Sequence, residues 1–366
     1  MCPQYQAPIL NEKASSPVAT NDIKMRDVFR EIAFQAEVST YEDPEFEELA
    51  LELCNERPET RTAAIAELRE TILERGECVP HRMDDAFLLR FLRARRFVIP
   101  RAYRLECGGE EERVGEPCIT SFTGNSEAEF RALYRTPCSK HHFKLLVPYA
   151  AVILMVRYYK FREDYPHLQR DVDLFGLARV GGAYGGMYAD HPRVGRITVL
   201  RFGAWDPSEI PVEDVVRAGM LLLEIGIRQP KLQVLGGLCI VDLEGISIRH
   251  MRTVTPAIAH QIVSLIGTSL PTRVRSCHLI NYSWIFNAFS YLFKTIIPSY
   301  AWKQIHFHGR DLNSLYAHVP QENLPPHYGG TCDKYVEFGH WLNKIKKYRD
   351  QQFDDEMRAL GYLIKE

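Results

Sequence analysis

Apolar residues recur three and four apart over Glu45–Asn55 and again over Glu59–Arg75, which predicts two amphipathic helices. Pro58 precedes the second and Gly76 ends it, the residue types suited to those positions. Asp84 or Asp85 caps a third helix. In it Phe87, Leu88, Phe91 and Leu92 form one stripe, and Arg90, Arg93, Arg95 and Arg96 form the opposite face. Between Glu106 and Met155 the periodicity disappears, and the segment ends in the apolar run Leu145–Val156. Helical spacing resumes at Val156–Arg162. With Glu106–Met155 removed, Arg101–Leu105 would join Val156–Arg162 as one continuous amphipathic helix.

Beyond Asp173 the pattern changes to short alternating or apolar runs separated by helical stretches. Arg196–Phe202, Gly237–Leu243, Val274–Ile280 and Gln304–Phe307 read as strands. Pro211–Gln229, Thr255–Ile266 and Ser283–Ile297 read as the helices between them. Strands alternating with helices predict an α/β fold with a mainly parallel sheet and right-handed crossovers. Gly181–Gly186 reads as a flexible glycine-rich loop, and the charged stretch Lys344–Glu366 as a surface helix. Residues 1–20 are polar, contain Pro3, Pro8 and Pro17, and are expected to be a disordered tail. The expected organisation is therefore a tail (1–20), a helical subdomain (21–105, continued over 156–175), an insertion (106–155), an α/β domain (176–330) and a charged helical tail (331–366).

Composition narrows the function. The 366 residues carry a net charge of −2, which excludes a generally basic nucleic-acid binder and leaves only local charge patches. Nine cysteines without a CxxC pair fit reduced thiols better than a disulfide framework. Met1–Ser15 lacks a basic stretch followed by an apolar one, so no secretory signal is expected. Leu145–Val156 reaches about half of the roughly 20 residues that span a bilayer. A cytoplasmic protein is the expectation.

Catalytic signals are weak. Gly181–Gly186 has neither a GxGxxG spacing nor a following Lys-Ser/Thr. Asp242 and Glu244 end a strand where an α/β enzyme places acids, but no nucleophile or base accompanies them, and a turn-capping aspartate is the plainer account. His306 and His308 beside Asp311 are either metal ligands or strand-end structural residues. No catalytic residue, metal or cofactor is assigned. The informative segment is Ile285–Ile297, apolar around most of its circumference. Such a helix is either a central core helix or one facing a cavity inside and a nonaqueous surface outside. Arg93, Arg95, Arg96, Arg273, Arg275 and Lys294 would together attract anionic lipid by about 5 kcal/mol, at roughly 1 kcal/mol each.

Asp85–Arg95, Asp242–Gly245, Leu279–Asn281, Tyr291–Lys294, His308–Asp311 and Leu324–Gly330 resemble, in order and spacing, the signatures of the CRAL-TRIO lipid-binding family. They are most similar to its tocopherol- and retinaldehyde-carrying members. The resemblance implies a helical N-terminal subdomain, an α/β domain enclosing a lipid cavity, and a movable gate helix over Ile285–Ile297 carrying Phe289, Leu292, Phe293, Ile296 and Ile297. It also implies a phosphoinositide-binding cleft at Arg95, Arg104, Arg273, Arg275 and Lys294. From strand and helix faces, the expected cavity walls are Phe202, Leu223, Ile240, Ile262, Leu265, Ile280, Phe286 and Phe289. The implied function is intracellular transfer of a hydrophobic small molecule, with reversible docking on endosomal or plasma membranes. A phosphoinositide sensor without cargo and a lipid-modifying enzyme are the rival readings. Two departures stand out: His327 replaces an acidic residue before Tyr328–Gly330, and Glu106–Met155 has no family counterpart. That segment is either translated intervening sequence or a looped-out insertion.

Overall fold

The structure is a computed structural model and describes residues 46–97, 146–191, 195–282, 285–299 and 301–365. The predicted tail, Arg104 and most of the insertion lie outside the described residues. Helices α1 (Phe46–Cys54), α2 (Pro58–Arg75) and α3 (Asp85–Ala94) form where the apolar spacing places them. Gly76 ends α2 at φ 60°, and the Asp84 carboxylate caps α3 by accepting from the Phe87 amide. The next helix, α4 (Leu146–Asp164), starts inside the apolar run assigned to the end of the insertion. Ala151, Met155 and Tyr158 of α4 are fully buried against Leu68, Leu88 and Phe91. The boundary drawn between Met155 and Val156 thus falls within a helix. The apolar run completes the helical core rather than facing water.

Strands β1 (Tyr184–His191) and β2 (Gly195–Arg201) are followed by α5 (Val212–Gly226), α6 (Pro230–Leu235) and β3 (Gly237–Asp242). Then come α7 (Ile248–Thr253), α8 (Pro256–Ser264), a π-helical turn Leu265–Ser269 and β4 (Val274–Ile280). The chain continues through α9 (Ile285–Lys294), β5 (Ile305–Gly309), α10 (Leu312–Tyr316), β6 (Tyr335–Glu337), α11 (Phe338–Tyr348) and α12 (Gln351–Ala359). The sheet order is β5-β4-β3-β2-β1-β6. β2 to β5 run parallel, as the alternation of strands and helices predicts, while β1 is antiparallel to both β2 and β6.

Two elements differ from the sequence reading. The glycine-rich segment is no free loop, because Gly185 and Gly186 pair within β1. A Cβ on Gly185 would lie 2.2 Å from the Tyr335 hydroxyl oxygen, so the missing side chain is what lets β6 lie against β1. The C-terminal segment is no simple surface helix either. α11 and α12 bury Trp341, Leu342, Phe353 and Met357. α12 also inserts Glu356 among three arginines: Arg82 and Arg90 donate to its carboxylate at 2.6 Å each and Arg228 at 2.9 Å. This carboxylate ties the N-terminal helices to the end of α5 and to the tail. On α5 itself, buried Glu224 accepts from the Tyr158 hydroxyl at 2.6 Å and pairs with Arg162, which fixes α4 on the α/β domain.

Candidate functional site: an apolar cavity with a cationic rim

The pleat of the parallel strands sorts side chains onto two faces. On β3 and β4, Cys239 and Val241 with Cys277 and Leu279 face one side, together with Thr198 and Leu200 of β2. Between this face and helices α5, α8 and α9 lies a cavity of about 790 Å³. Val216 and Leu223 of α5, Ile262 of α8 and Leu265 of the π-turn supply the opposite wall. That volume falls in the upper part of the roughly 300–1,000 Å³ typical of small-molecule sites. Phe286 and Phe293 of α9, with Ile296 and Ile297 just beyond it, close the cavity on one side. The same helix turns Tyr291, 71% accessible, and Lys294 to the outside.

Of the expected wall residues, Phe202, Leu223, Ile262, Leu265 and Phe286 line this space. Ile240 and Ile280 do not, and the assignment is corrected here. Ile240 pairs in register with Val199 and His278, on the opposite face, where Ile240 and Ile280 pack with Leu315, Val319 and Tyr328. A buried parallel strand is apolar on both faces, so its sequence does not mark which side meets the cavity. The Phe289 and Leu292 side chains lie outside the described residues.

The basic residues divide into two groups. Arg93 is not on a solvated face: it is 1% exposed, makes two hydrogen bonds to Glu56 at 2.7 and 2.9 Å, and donates to Gln233 at 2.8 Å. Arg90 is likewise buried on Glu356. Arg95 and Arg273 instead border the cavity. Arg273 Nη1 donates to the Val234 carbonyl and to Cys54 Sγ. Burial, reinforced by the like charges of Arg96 and Arg275, holds the Arg273 guanidinium below the usual arginine range. Burial and Arg96 do the same to Arg275. Arg96, counted among the basic residues of the sequence but not in the cleft that the family resemblance implies, is thus part of the cluster. At φ 55° it sits in the turn beyond α3, a conformation that its sequence does not mark. Cations crowded closely enough to depress one another are stabilised by an anion placed among them.

On the back of the sheet, His306 and His308 join His278 and His318. His278 Nδ1 lies 2.8 Å from His308 Nε2, its Nε2 lies 2.9 Å from Ser276 Oγ, and His308 Nδ1 lies 2.7 Å from Ser314 Oγ. His306 and His318 rings pack at 4.3 Å between centroids. Burial, then the neighbouring imidazoles, push His278 down to about 3. His306 and His308 are lowered as well, although Asp311 opposes this at His308. These groups fold neutral, while the unfolded chain takes up protons near pH 6.5. Stability from the cluster is therefore complete above that pH and is lost as pH falls from about 6.5 towards 3. Urea unfolding followed between pH 7.5 and 5 will show a falling midpoint. His278→Gln will flatten that slope, and an unaltered slope would contradict the assignment.

A grouping with metal-ligand spacing also exists, since the ligand atoms of Asp242, Glu244 and His327 all lie within 4.8 Å of one another. The Asp242 carboxylate is already taken up by the Glu244 amide, Asn281 Nδ2 and the Tyr328 hydroxyl, so it anchors the turns that end β3 and β4.

Comparison with known proteins agrees with this architecture. Residues 191–330 match the CRAL/TRIO domain, and residues 45–105 match the CRAL/TRIO N-terminal domain. Clavesin-1 of Mus musculus is 30% identical over 300 residues, covering 82% of this chain and 71% of that protein. The chain belongs to the CRAL-TRIO lipid-binding family. Human clavesin-2 is 28% identical over 321 residues, covering 85% of this chain and 80% of that protein. The crystal structure of Sfh5 aligns with 57% of this chain and 78% of that one, at 14% identity and a TM-score of 0.36. Members of the CRAL-TRIO family bind hydrophobic molecules. In this CRAL-TRIO chain the cavity sits behind α9, with Arg95 and Arg273 at its border. Among the described residues no helix is long and apolar enough to cross a membrane.

Proposed function

We propose that this chain carries one hydrophobic small molecule in the cavity and exchanges it at anionic membranes. A phosphoinositide headgroup docks at Arg95, Arg273, Arg275 and Lys294, with Arg96 adding to the cluster. The observation that carries this reading is the 790 Å³ apolar space closed by a helix whose other side presents Tyr291 and Lys294 outward. Enclosing about 500 Å² of ligand surface is worth on the order of 12 kcal/mol relative to water. A bilayer offers the same ligand nearly as much, so net transfer depends on fit to the walls and on opening of α9. Docking is peripheral, since each cation contributes roughly 1 kcal/mol near an anionic surface.

Lys294 is exposed and makes the cleanest test. Lys294→Glu changes the local charge by two units, worth about 2 kcal/mol, or roughly 30-fold in affinity for phosphoinositide vesicles at low salt. Vesicle flotation and fluorescent-lipid transfer between vesicles measure docking and exchange separately. The proposal expects both to fall while cargo occupancy in solution is unchanged. Unaltered docking and exchange would overturn it. A chain that docks normally but never takes up lipid would instead favour the sensor reading.

A further inference from the structure

Two thiols stand side by side in the cavity wall. Cys239 of β3 and Cys277 of β4 are register partners on adjacent parallel strands, and both border the cavity. Both are free cysteines. The neighbouring Cys239 thiol, together with burial, raises the Cys277 thiol well above its ordinary range. Adjacent strands lie about 4.8 Å apart, inside the roughly 4.4–6.8 Å between Cα atoms that a disulfide accepts. The surrounding wall is apolar, with Leu200, Val241 and Leu279 on the same face. Whatever reacts with this pair must therefore dissolve in an apolar cavity.

We propose that Cys239 and Cys277 form a dithiol site that is oxidised to a disulfide by a hydrophobic hydroperoxide held in the cavity. This rests on the cavity being the cargo site. In the first step one sulfur attacks the terminal oxygen of the hydroperoxide, and the O–O bond breaks. The released lipid alkoxide takes the thiol proton and leaves as the alcohol, while the attacking sulfur becomes a sulfenic acid. The second sulfur then attacks the sulfenic sulfur and expels hydroxide, which takes the second thiol proton and becomes water. One hydroperoxide and two thiols give one alcohol, one water and one disulfide; the peroxide gains the two electrons that the dithiol loses. The raised Cys277 thiol is a poor nucleophile towards water-borne oxidants. An oxidant resident in the cavity gains the advantage of proximity instead, and its reaction accelerates as pH rises.

The test incubates the full chain with linoleic acid hydroperoxide, follows loading by native mass spectrometry, and measures thiols and products after denaturation. The expected result is loss of two hydrogens per chain, about one hydroxy acid formed per disulfide, and protection of both cysteines from alkylation. Cys239→Ser and Cys277→Ser, which are nearly isosteric, each abolish the disulfide. Hydrogen peroxide at the same concentration acts at least about tenfold more slowly. A loaded hydroperoxide that leaves both thiols intact would overturn the proposal and leave cargo carriage standing. So would equal oxidation by hydrogen peroxide, because the cavity would then play no part. A hydroperoxide that never enters also overturns it, and parallel loading with unoxidised linoleic acid shows whether the cargo site itself is at fault.

Discussion

Glu356→Gln should lower the stability of the chain by about 3–5 kcal/mol, the range found when one partner of a buried ion pair is removed. The carboxylate is 3% exposed and serves three guanidiniums, of which Arg90 and Arg228 are themselves almost fully buried. Burial alone would raise its pKa, but the charge and hydrogen bond of Arg90, helped by Arg228 and Arg82, outweigh burial and hold it below the usual range. Removing the negative charge leaves like charges facing one another without water. A carboxyl depressed in this way contributes stability above its unfolded pKa, near 4.3, which is lost on acidification. Urea denaturation at pH 7 measures the effect. A loss under about 1 kcal/mol would mean that the C-terminal tail is not the clamp between the helical subdomain and α5.

The second large effect concerns cargo. Val241 faces the cavity from near the C-terminal end of β3, and Leu223 faces it from α5. Tryptophan at either position adds bulk to a space lined by Leu200, Ile262, Leu265 and Phe286. Val241→Trp and Leu223→Trp should each lower lipid occupancy at least about tenfold, equivalent to about 1.4 kcal/mol. Both fill space that the empty chain leaves open, so folding should be less affected than by overpacking of a filled core. The matched control is Ile240→Val, one residue away on the opposite face, which should leave occupancy unchanged. Equal effects on both faces would contradict the placement of the cargo.

Much of this was legible in the sequence because the relevant signals are local. Asp84, by its carboxylate, and Pro58 and Gly76, by their backbone preferences, mark helix ends locally, and each does so in the structure. The four parallel strands follow from short apolar runs between helical stretches, and Val274–Ile280 has the predicted ends. What was not legible depends on partners distant in the chain. Arg93 looks like a surface cation until Glu56 and Gln233 are brought to it. Glu356 looks like one more charge in a polar tail until Arg82, Arg90 and Arg228 converge on it. β1 was hidden because glycine carries no strand pattern, and its reason for being glycine, Tyr335, lies far downstream. Ile240 and Ile280 were misplaced in the wall for a simpler reason. In a strand buried on both faces, the period-two pattern that separates Ile240 from Val241 has no polar residue to mark it.

Native mass spectrometry of the full chain purified from cells, with extraction and identification of any bound lipid, tests the central claim most directly. The account predicts one hydrophobic molecule per chain, displaced faster by phosphoinositide vesicles than by neutral ones, and missing from Val241→Trp. A chain that stays empty when offered tocopherol, retinoid, sterol and phospholipid vesicles, yet docks on phosphoinositide vesicles, would contradict it.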